Sequence, residues 1–368
     1  MVLSIILGIL LLGILVVVHE WGHFITARLC GIEVKEFSVG FGPKLLSRVG
    51  RRGCRYSLRL IPLGGYCMFY DEMGTEAAEN PGGEADSRSF PLQKLWKRML
   101  TILMGPVMNF ALAFLVLFFI MVFTGVYAIQ PGILEVTPGG PAMEAGLMAG
   151  DQILEVDGRD MSGRSLDPFL EAVRDYSGSG SLSFRVLRGG EILTLPVTPA
   201  WDGEQQAYRT GVVVRGAMAV KPEADGTLTG VMIRMSLWEN IAYTWNYCVR
   251  SGGLILESLK KLVTTGEGLE ETSGPVGVVS LVSQEVQRGG LPVFFDLLVI
   301  ISINLGIMNL LPIPGLDGSR LIFLVLEGIR GKPVPPKYES MVHAAGFILL
   351  MLLMLFLTWR DISRLLGF

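Results

Sequence analysis

At 368 residues, half of them hydrophobic and 18% charged, with a mean hydropathy of +0.49, the chain has the profile of a polytopic membrane protein with a soluble insert. Its net charge of -3 and the lack of a basic stripe interleaved with aromatics argue against nucleic-acid binding. The four cysteines (Cys30, Cys54, Cys67 and Cys248) show no C-x-x-C spacing, so neither a structural zinc site nor a disulfide framework is indicated.

Residues 1–27 are apolar up to His19 and long enough to span a bilayer. A signal peptide is the alternative, but the segment has no basic start and no small-residue cleavage site, and cleavage past the apolar run would discard the polar residues at its end. That end reads Val18-His19-Glu20-Trp21-Gly22-His23, an H-E-x-x-H string. On a helix, His19 and His23 share one face and can hold one Zn²⁺, while Glu20 suits the general base that deprotonates a zinc-bound water. In a soluble helix such a string often arises by chance. In a membrane span, two histidines and a glutamate are too costly to be idle. The competing reading is a helix end whose polar residues sit at headgroup level.

Residues 28–98 are polar and basic, with Arg28, Lys35, Lys44, Arg48, Arg51, Arg52, Arg55 and Arg59 in the first half. Alternating stretches with Gly and Pro at 37–43 and 55–60 predict membrane-associated β-hairpins. Gly64, Gly65 and Tyr66, followed by residues 68–70, suit an edge strand that could pair with an extended substrate, though an ordinary turn and strand fits as well. Residues 74–89 read as a flexible surface loop.

A second span covers 99–126 and contains Gly105-Pro106-Val107-Met108-Asn109, which permits close packing and a local break. Packing explains Asn109 by default; contact with the first helix is the sharper alternative. At 127–222 the pattern changes to short strands (133–136, 152–156, 182–187, 193–197) with one helix near 168–174. The string at 141–158, Pro-Ala-Met-Glu-Ala-Gly-Leu-Met-Ala-Gly-Asp-Gln-Ile-Leu-Glu-Val-Asp-Gly, resembles the bacterial PDZ signature and implies a single, circularly permuted α+β PDZ domain that accepts an extended peptide.

Residues 223–290 predict amphipathic helices, with an interruption at Gly252-Gly253 and interfacial Trp238, Tyr243, Trp245 and Tyr247. Ser273-Gly274-Pro275-Val276-Gly277 is turn-rich. A third span at 291–318 carries Asn304 and Asn309 and ends in Asn-Leu-Leu-Pro-Ile-Pro-Gly-Leu-Asp317-Gly318. A loop at 319–338, a fourth span at 339–359 and a tail at 360–368 complete the chain. Basic residues at 28–98 and at Arg320, Arg330, Lys332 and Lys337 place those loops in the cytoplasm. The N-terminus, the PDZ domain and the C-terminus then lie outside, with Arg360 and Arg364 a mild violation.

A zinc hydrolase needs three protein ligands and an open position. Asp317 fits the third place: it lies past the inner end of the third span, where Pro312 and Pro314 let the backbone turn towards the bundle. Taken alone, Pro-Ile-Pro-Gly-Leu-Asp-Gly reads as an ordinary helix-ending loop; the pairing with H-E-x-x-H favours the ligand. His343 reads as interfacial packing rather than a ligand.

The H-E-x-x-H string, Gly105-Pro106-x-x-Asn109 and the 309–318 string together resemble the site-2 protease family of intramembrane zinc proteases. With the PDZ domain and Ser273-Gly-Pro-Val-Gly277, the likeness is to its regulator-of-sigma-E protease branch, in the bacterial cytoplasmic (inner) membrane. The resemblance implies His19, His23 and Asp317 as Zn²⁺ ligands and Glu20 as base. It implies Asn309, and less directly Asn304, as oxyanion or substrate contacts. It also implies single-span membrane substrates, such as anti-sigma factors or remnant signal peptides, cut after a first extracytoplasmic cleavage. Well-known members of that branch carry two PDZ domains and this chain carries one, which puts a size-filter role in question. A non-catalytic PDZ adaptor and a zinc transporter are the competing classes, and neither has a use for Glu20 beside three ligands.

Overall fold

The computed structural model describes residues 2–70, 88–203, 205–223, 227–268 and 273–366. Most of the loop expected at 74–89 lies outside the described residues. The chain forms two units, residues 1–119 with 241–368, and residues 120–240.

Four helices of the described residues are long and apolar enough to cross a membrane, over Leu3–Cys30, Leu95–Thr124, Pro275–Leu310 and Lys337–Arg364. The last buries only 6% of its apolar window against protein, so its Leu, Met and Phe side chains need another apolar surround, which lipid supplies.

In the first unit, α1 (Val2–Cys30) is followed by β1 (Val34–Val49) and β2 (Arg55–Phe69). Residues 36–39 are paired on two sides: Phe37 faces both Cys67 and Tyr56, and Ser38 faces both Tyr66 and Ser57. Residues 44–49 pair with 55–59 as well. The hairpin is thereby folded back on itself into a small sheet in which 65–69 has 34–39 on one side. Among the described strands none pairs with its other side, so 65–69 is an edge.

Helix α2 (Leu95–Thr124) begins four residues before the expected span and runs unbroken through Pro106, so the local break expected there is not formed. Proline costs a helix one amide donor, which neighbouring packing tolerates within a bundle. Gly22 of α1 lies so close to α2 that a Cβ there would stand 2.2 Å from the Met104 carbonyl oxygen. Leu11 and Leu15 of α1 pack on Val282, Val286, Phe294 and Leu298 of the Pro275–Leu310 helix. A second core joins Phe24, Ala27 and Cys30 to Val34, Phe69, Ile102 and Leu324.

The second unit is sheet-rich. Its main sheet has the order β7 (Val212–Met218), β3 (Ile129–Val136), β4 (Gln152–Val156), β5 (Leu182–Arg188), β6 (Glu191–Val197), with one eight-residue helix at Asp167–Arg174. Leu182, Phe184 and Val186 alternate inward to meet Ile133, Ile153 and Phe169, as a period of two requires. The Gly150-Asp151 pair of the sequence signature has a structural job. Buried Asp151 accepts two hydrogen bonds of 2.7 Å from Arg188, which also donates to the Gly146 carbonyl. The sheet region extends past 222, through short strands at Leu228–Gly230 and Met232–Ile233, into residues expected to be helical.

The helix at Leu237–Thr265 (α5, counting the short Pro141–Glu144 turn and the Asp167–Arg174 helix as α3 and α4) is continuous, against the interruption expected at Gly252-Gly253. Two glycines cost about 2 kcal/mol of propensity, and a Cβ on Gly252 would meet only Ile307, at 3.5 Å. α6 (Pro275–Leu310) contains a kink at Gly290, with φ 71° and ψ -156°, that separates a first helix from the expected span starting at 291. Asp361 accepts hydrogen bonds from the amides of Gly274 (2.9 Å) and Gly277 (2.7 Å), which makes the Ser-Gly-Pro-Val-Gly string a capped helix start. The stretch expected as a loop at 319–338 is mostly helix, α7 (Asp317–Arg330), tied to α2 by an Arg98–Glu327 ion pair. α8 (Pro336–Leu366) runs through most of the expected tail.

Candidate active site

Three donor atoms converge beside the second half of α1. His19 Nε2 and His23 Nε2 are 3.3 Å apart, and Asp317 Oδ2 is 3.1 Å from the first and 3.2 Å from the second. The helical repeat brings the two imidazoles together, edge to face at 4.8 Å. Asp317 is delivered by the turn after α6. Gly315 takes a positive φ of 97°, and a Cβ on Gly318 would lie 2.2 Å from the Leu311 carbonyl oxygen, so only glycine lets α7 start there. Tetrahedral Zn²⁺ with bonds of about 2.0–2.1 Å separates its ligand atoms by roughly 3.3 Å, which these three spacings match. Asp317 Oδ2 is also buried without a hydrogen bond, as an atom reserved for a cation should be. The donor set fits zinc.

The rest of each imidazole is held from α2. His23 Nδ1 lies 2.9 Å from the Thr101 carbonyl oxygen, an acceptor, so Nδ1 carries the proton and Nε2 is free to ligate. His19 Nδ1 is 3.2 Å from the Asn109 side-chain amide, whose Oδ1 otherwise has no hydrogen-bond partner. Turning that amide over gives His19 an acceptor for its Nδ1–H and satisfies Oδ1 at once. Gly105, between these two contacts, leaves room for the rings: a Cβ there would stand 2.2 Å from His23 Nε2 and 3.0 Å from His19 Cε1. The Gly-Pro-x-x-Asn string is the cradle of the two histidines.

Glu20 faces the other way, into a cavity of about 580 Å³ lined also by His19, His23, Asp317, Asn309, Gly65 and Tyr66. The Cys67 backbone amide donates to its carboxylate. A Cβ on Gly65 would lie 3.5 Å from Glu20 Cγ and 2.8 Å from the Ser38 carbonyl oxygen, so the edge segment presses its backbone on the zinc helix. Gly64, with φ 142°, makes the bend before it and is not among the cavity's lining residues. Asn309 is half-buried in the cavity wall; Asn304 is exposed on α6 and does not reach it. Five residues turn a helix by about 140° beyond a full turn, so the two asparagines cannot share that face. His343 lines the same cavity without approaching the donor triad as a fourth member.

Arg59 braces the edge segment from behind. It donates to Tyr66 Oη (2.6 Å), Glu36 Oε1 (3.0 Å) and Ser38 Oγ (3.0 Å). Burial alone would raise the Glu36 carboxyl, but hydrogen bonds from Ser57 and Arg59 outweigh it and hold the group below its ordinary value. A pKa lower in the folded state means that Glu36 stabilises the sheet above about pH 4.3, and that this contribution is lost as pH falls through the folded value. Unfolding temperatures measured from about pH 7 down to about pH 3 should therefore fall more steeply for the wild type than for Glu36→Gln. Parallel curves would remove Glu36 from the account.

Residues 7–353 match the sequence profile described as Peptidase family M50. The chain belongs to that family. As an M50 peptidase it is an intramembrane zinc metalloprotease. The regulator of sigma-W protease RasP of Bacillus subtilis is 31% identical to it over 435 residues, covering 98% of this chain and 99% of its own. The zinc metalloprotease RasP of Geobacillus kaustophilus is 32% identical over 432 residues, covering 98% of each. Among solved structures, the PDZ domain of an SdrC-like protein from Listeria innocua aligns with 23% of this chain and 92% of its own, at 22% identity and a TM-score of 0.21.

Two contributors to the M50 site had no signal in the sequence, the Thr101 carbonyl and the Cys67 amide. Both act through backbone, which any residue type provides.

Proposed function

We propose that His19, His23 and Asp317 hold the catalytic Zn²⁺, that Glu20 is the general base, and that the chain cuts peptide bonds within the transmembrane segments of single-span membrane proteins. The observation that carries this reading is the convergence of three zinc-spaced donor atoms, a second carboxylate in Glu20 and an open strand edge on one cavity. An adaptor or a zinc transporter would have no use for the last two.

When bound, zinc would supply a Lewis acid for the scissile carbonyl and an acidified water. The residues do the rest. Glu20, turned into the cavity and steadied by the Cys67 amide, takes the proton of the attacking water and returns it to the departing amine. Thr101 and Asn109 keep both imidazoles in the tautomer that points Nε2 at the ion. Asn309 is placed to hold the substrate carbonyl. A transmembrane helix hides its carbonyls in its own hydrogen bonds, so the substrate must unwind before attack. The 65–69 edge, from Gly65 and Tyr66 onward, offers the unwound stretch a replacement partner within reach of Glu20, with Gly64 setting the bend.

The charge distribution supports a bacterial inner-membrane protein with the hairpin region and the 331–338 connection in the cytoplasm, and with residues 120–240 and both termini outside. In this reading the sheet-rich unit is a PDZ domain that takes an extended extracytoplasmic peptide, and membrane-bound anti-sigma factors or remnant signal peptides, trimmed by a prior cut, are the substrates.

Chelation tests the metal directly. Purified protein in liposomes with a single-span substrate should lose cleavage on treatment with a zinc chelator and regain it on adding Zn²⁺ back. Asp317→Asn should need well over about 100-fold more zinc for the same recovery, because outer-shell partners alone account for 10–100-fold. Recovery of the variant at the wild-type zinc concentration would take Asp317 out of the ligand set.

A further inference from the structure

We infer that the cytoplasmic end of the zinc helix carries a second site, for a phosphate-bearing anion, built from Arg28, Arg52 and Arg88. The three guanidinium side chains come from three different places in the chain. Arg28 closes the last turn of α1, Arg52 lies in the turn between β1 and β2, and Arg88 leads towards α2. All three line one cavity of about 150 Å³, room for roughly five waters or for one tetrahedral anion with its first contacts.

The cavity is electrostatically unbalanced. Glu33 is its single carboxylate, 3.3 Å from Arg88, against three positive groups. Cys54 does not restore the balance: burial pushes its thiol up, against the pull of Arg28, and keeps it neutral. The negative end of the α1 dipole also lies here, but it amounts to about half a charge and its last carbonyls are already bonded, Ala27 to the Ile32 amide and Arg28 to the Gly31 amide.

The Arg28 side chain and the backbones that carry Arg52 and Arg88 are held before any ligand arrives. The Arg28 guanidinium sits 4.4 Å above the Phe24 ring. Arg88 is fixed at the backbone, where its carbonyl accepts from the Glu33 amide at 3.0 Å. Arg52 is carried on a tight turn closed by hydrogen bonds from Gly50 to the Cys54 carbonyl (2.8 Å) and from Gly53 to the Gly50 carbonyl (3.0 Å). Planar guanidinium forks on fixed backbones are the usual means of gripping phosphate.

The surface beside the cavity points to where such an anion comes from. Leu45, Leu46, Val49, Leu58 and Leu60 of the hairpin are all more than 40% exposed, and Arg48, Arg51 and Arg55 flank its turn. Apolar side chains rimmed by arginine suit a bilayer interface rich in acidic headgroups. A headgroup phosphate in the cavity would join the zinc helix, five residues past His23, to the hairpin whose far strand abuts Glu20. Free phosphate would satisfy the same groups.

The test reads binding and not cleavage, so its outcome is independent of the protease reading. Full-length protein in a neutral detergent and phosphate-free buffer is melted with increasing short-chain phosphatidylglycerol, short-chain phosphatidylcholine, or inorganic phosphate. Phosphatidylglycerol should raise the unfolding temperature saturably, and Arg52→Gln should weaken that response about tenfold or more. Arg52 is exposed, so the variant should fold, and Arg88→Gln provides a second one from a different segment. Lys332→Gln, exposed and outside both the cavity and the hairpin, should respond as the wild type does. A saturable phosphate response with the same arginine dependence assigns the site to the free anion; its absence beside a phosphatidylglycerol response assigns it to a headgroup. Equal responses to the two lipids, no response to any of the three, or an unchanged response in both Arg52→Gln and Arg88→Gln would overturn the site.

Discussion

Glu20→Gln should lower the rate of substrate cleavage by about 10²- to 10⁴-fold while leaving one zinc bound per chain. Glutamine has nearly the shape of glutamate and can still accept from the Cys67 amide, so the contact between α1 and the 65–69 edge survives. What is lost is the capacity to take a proton from water. The three metal donors are other side chains, and none of them leans on Glu20 for its hydrogen bonds. Rate and metal content therefore separate in this variant, where in Asp317→Asn they fall together. Cleavage of a single-span substrate followed by mass spectrometry, with zinc measured on the same sample, decides it. A rate within a few-fold of the wild type with zinc in place would dismiss Glu20 as the base.

Gly105→Ala is the smallest change expected to disable the site from outside the motif that names it. The added methyl would stand 2.2 Å from His23 Nε2, the ligand atom itself, and 2.3 Å from Cε1. The ring cannot withdraw and keep its place, because its Nδ1 is tied to the Thr101 carbonyl on the same helix. Either that bond breaks or α1 and α2 move apart, and Gly22 against the Met104 carbonyl shows how little slack that interface has. Overpacking of this kind costs about 1–3 kcal/mol of stability. The larger effect is on metal: zinc affinity should fall by more than the 10–100-fold expected for losing an outer-shell partner, with activity falling alongside. Wild-type zinc affinity in folded Gly105→Ala protein would show that the cradle is looser than its distances indicate.

Residue chemistry made the metal triad legible long before any geometry. His19 and His23 were readable because a helix puts positions four apart on one face, whereas Asp317 alone reads as part of an ordinary helix-ending loop and gains a ligand reading only beside that pair. Glycine and asparagine in α2 were legible as buried and close-packed, but their partner was not, since a sequence shows that a position is small or polar without showing what it faces. Asn304 misled because resemblance of position ignores helical phase, and α6 turns that side chain away from the cavity. The stretch after Asp317 read as a loop on its basic residues, yet Leu321 and Leu324 recur at helical spacing and pack into the core around Phe24. Four strands of the main sheet were foreseeable from their short β-like runs, and the fifth, Val212–Met218, was not. The folded-back pairing that leaves 65–69 as an edge was not, because register between distant segments is set by packing on α1 rather than by composition.

With Asp317 as third ligand, the site is divided in time as well as in space. His19 and Asp317 are 298 positions apart, and the ribosome makes them in that order. At about 5–20 residues per second, roughly 15–60 s pass between the two halves. Throughout that interval the growing chain lies in the membrane beside other newly inserted helices, any of which would be within reach of a finished catalyst. A two-ligand half-site holds zinc weakly and cuts nothing. Placing the last ligand late in the chain keeps the enzyme silent until three of its four candidate spans, and the sheet-rich unit between them, have been made.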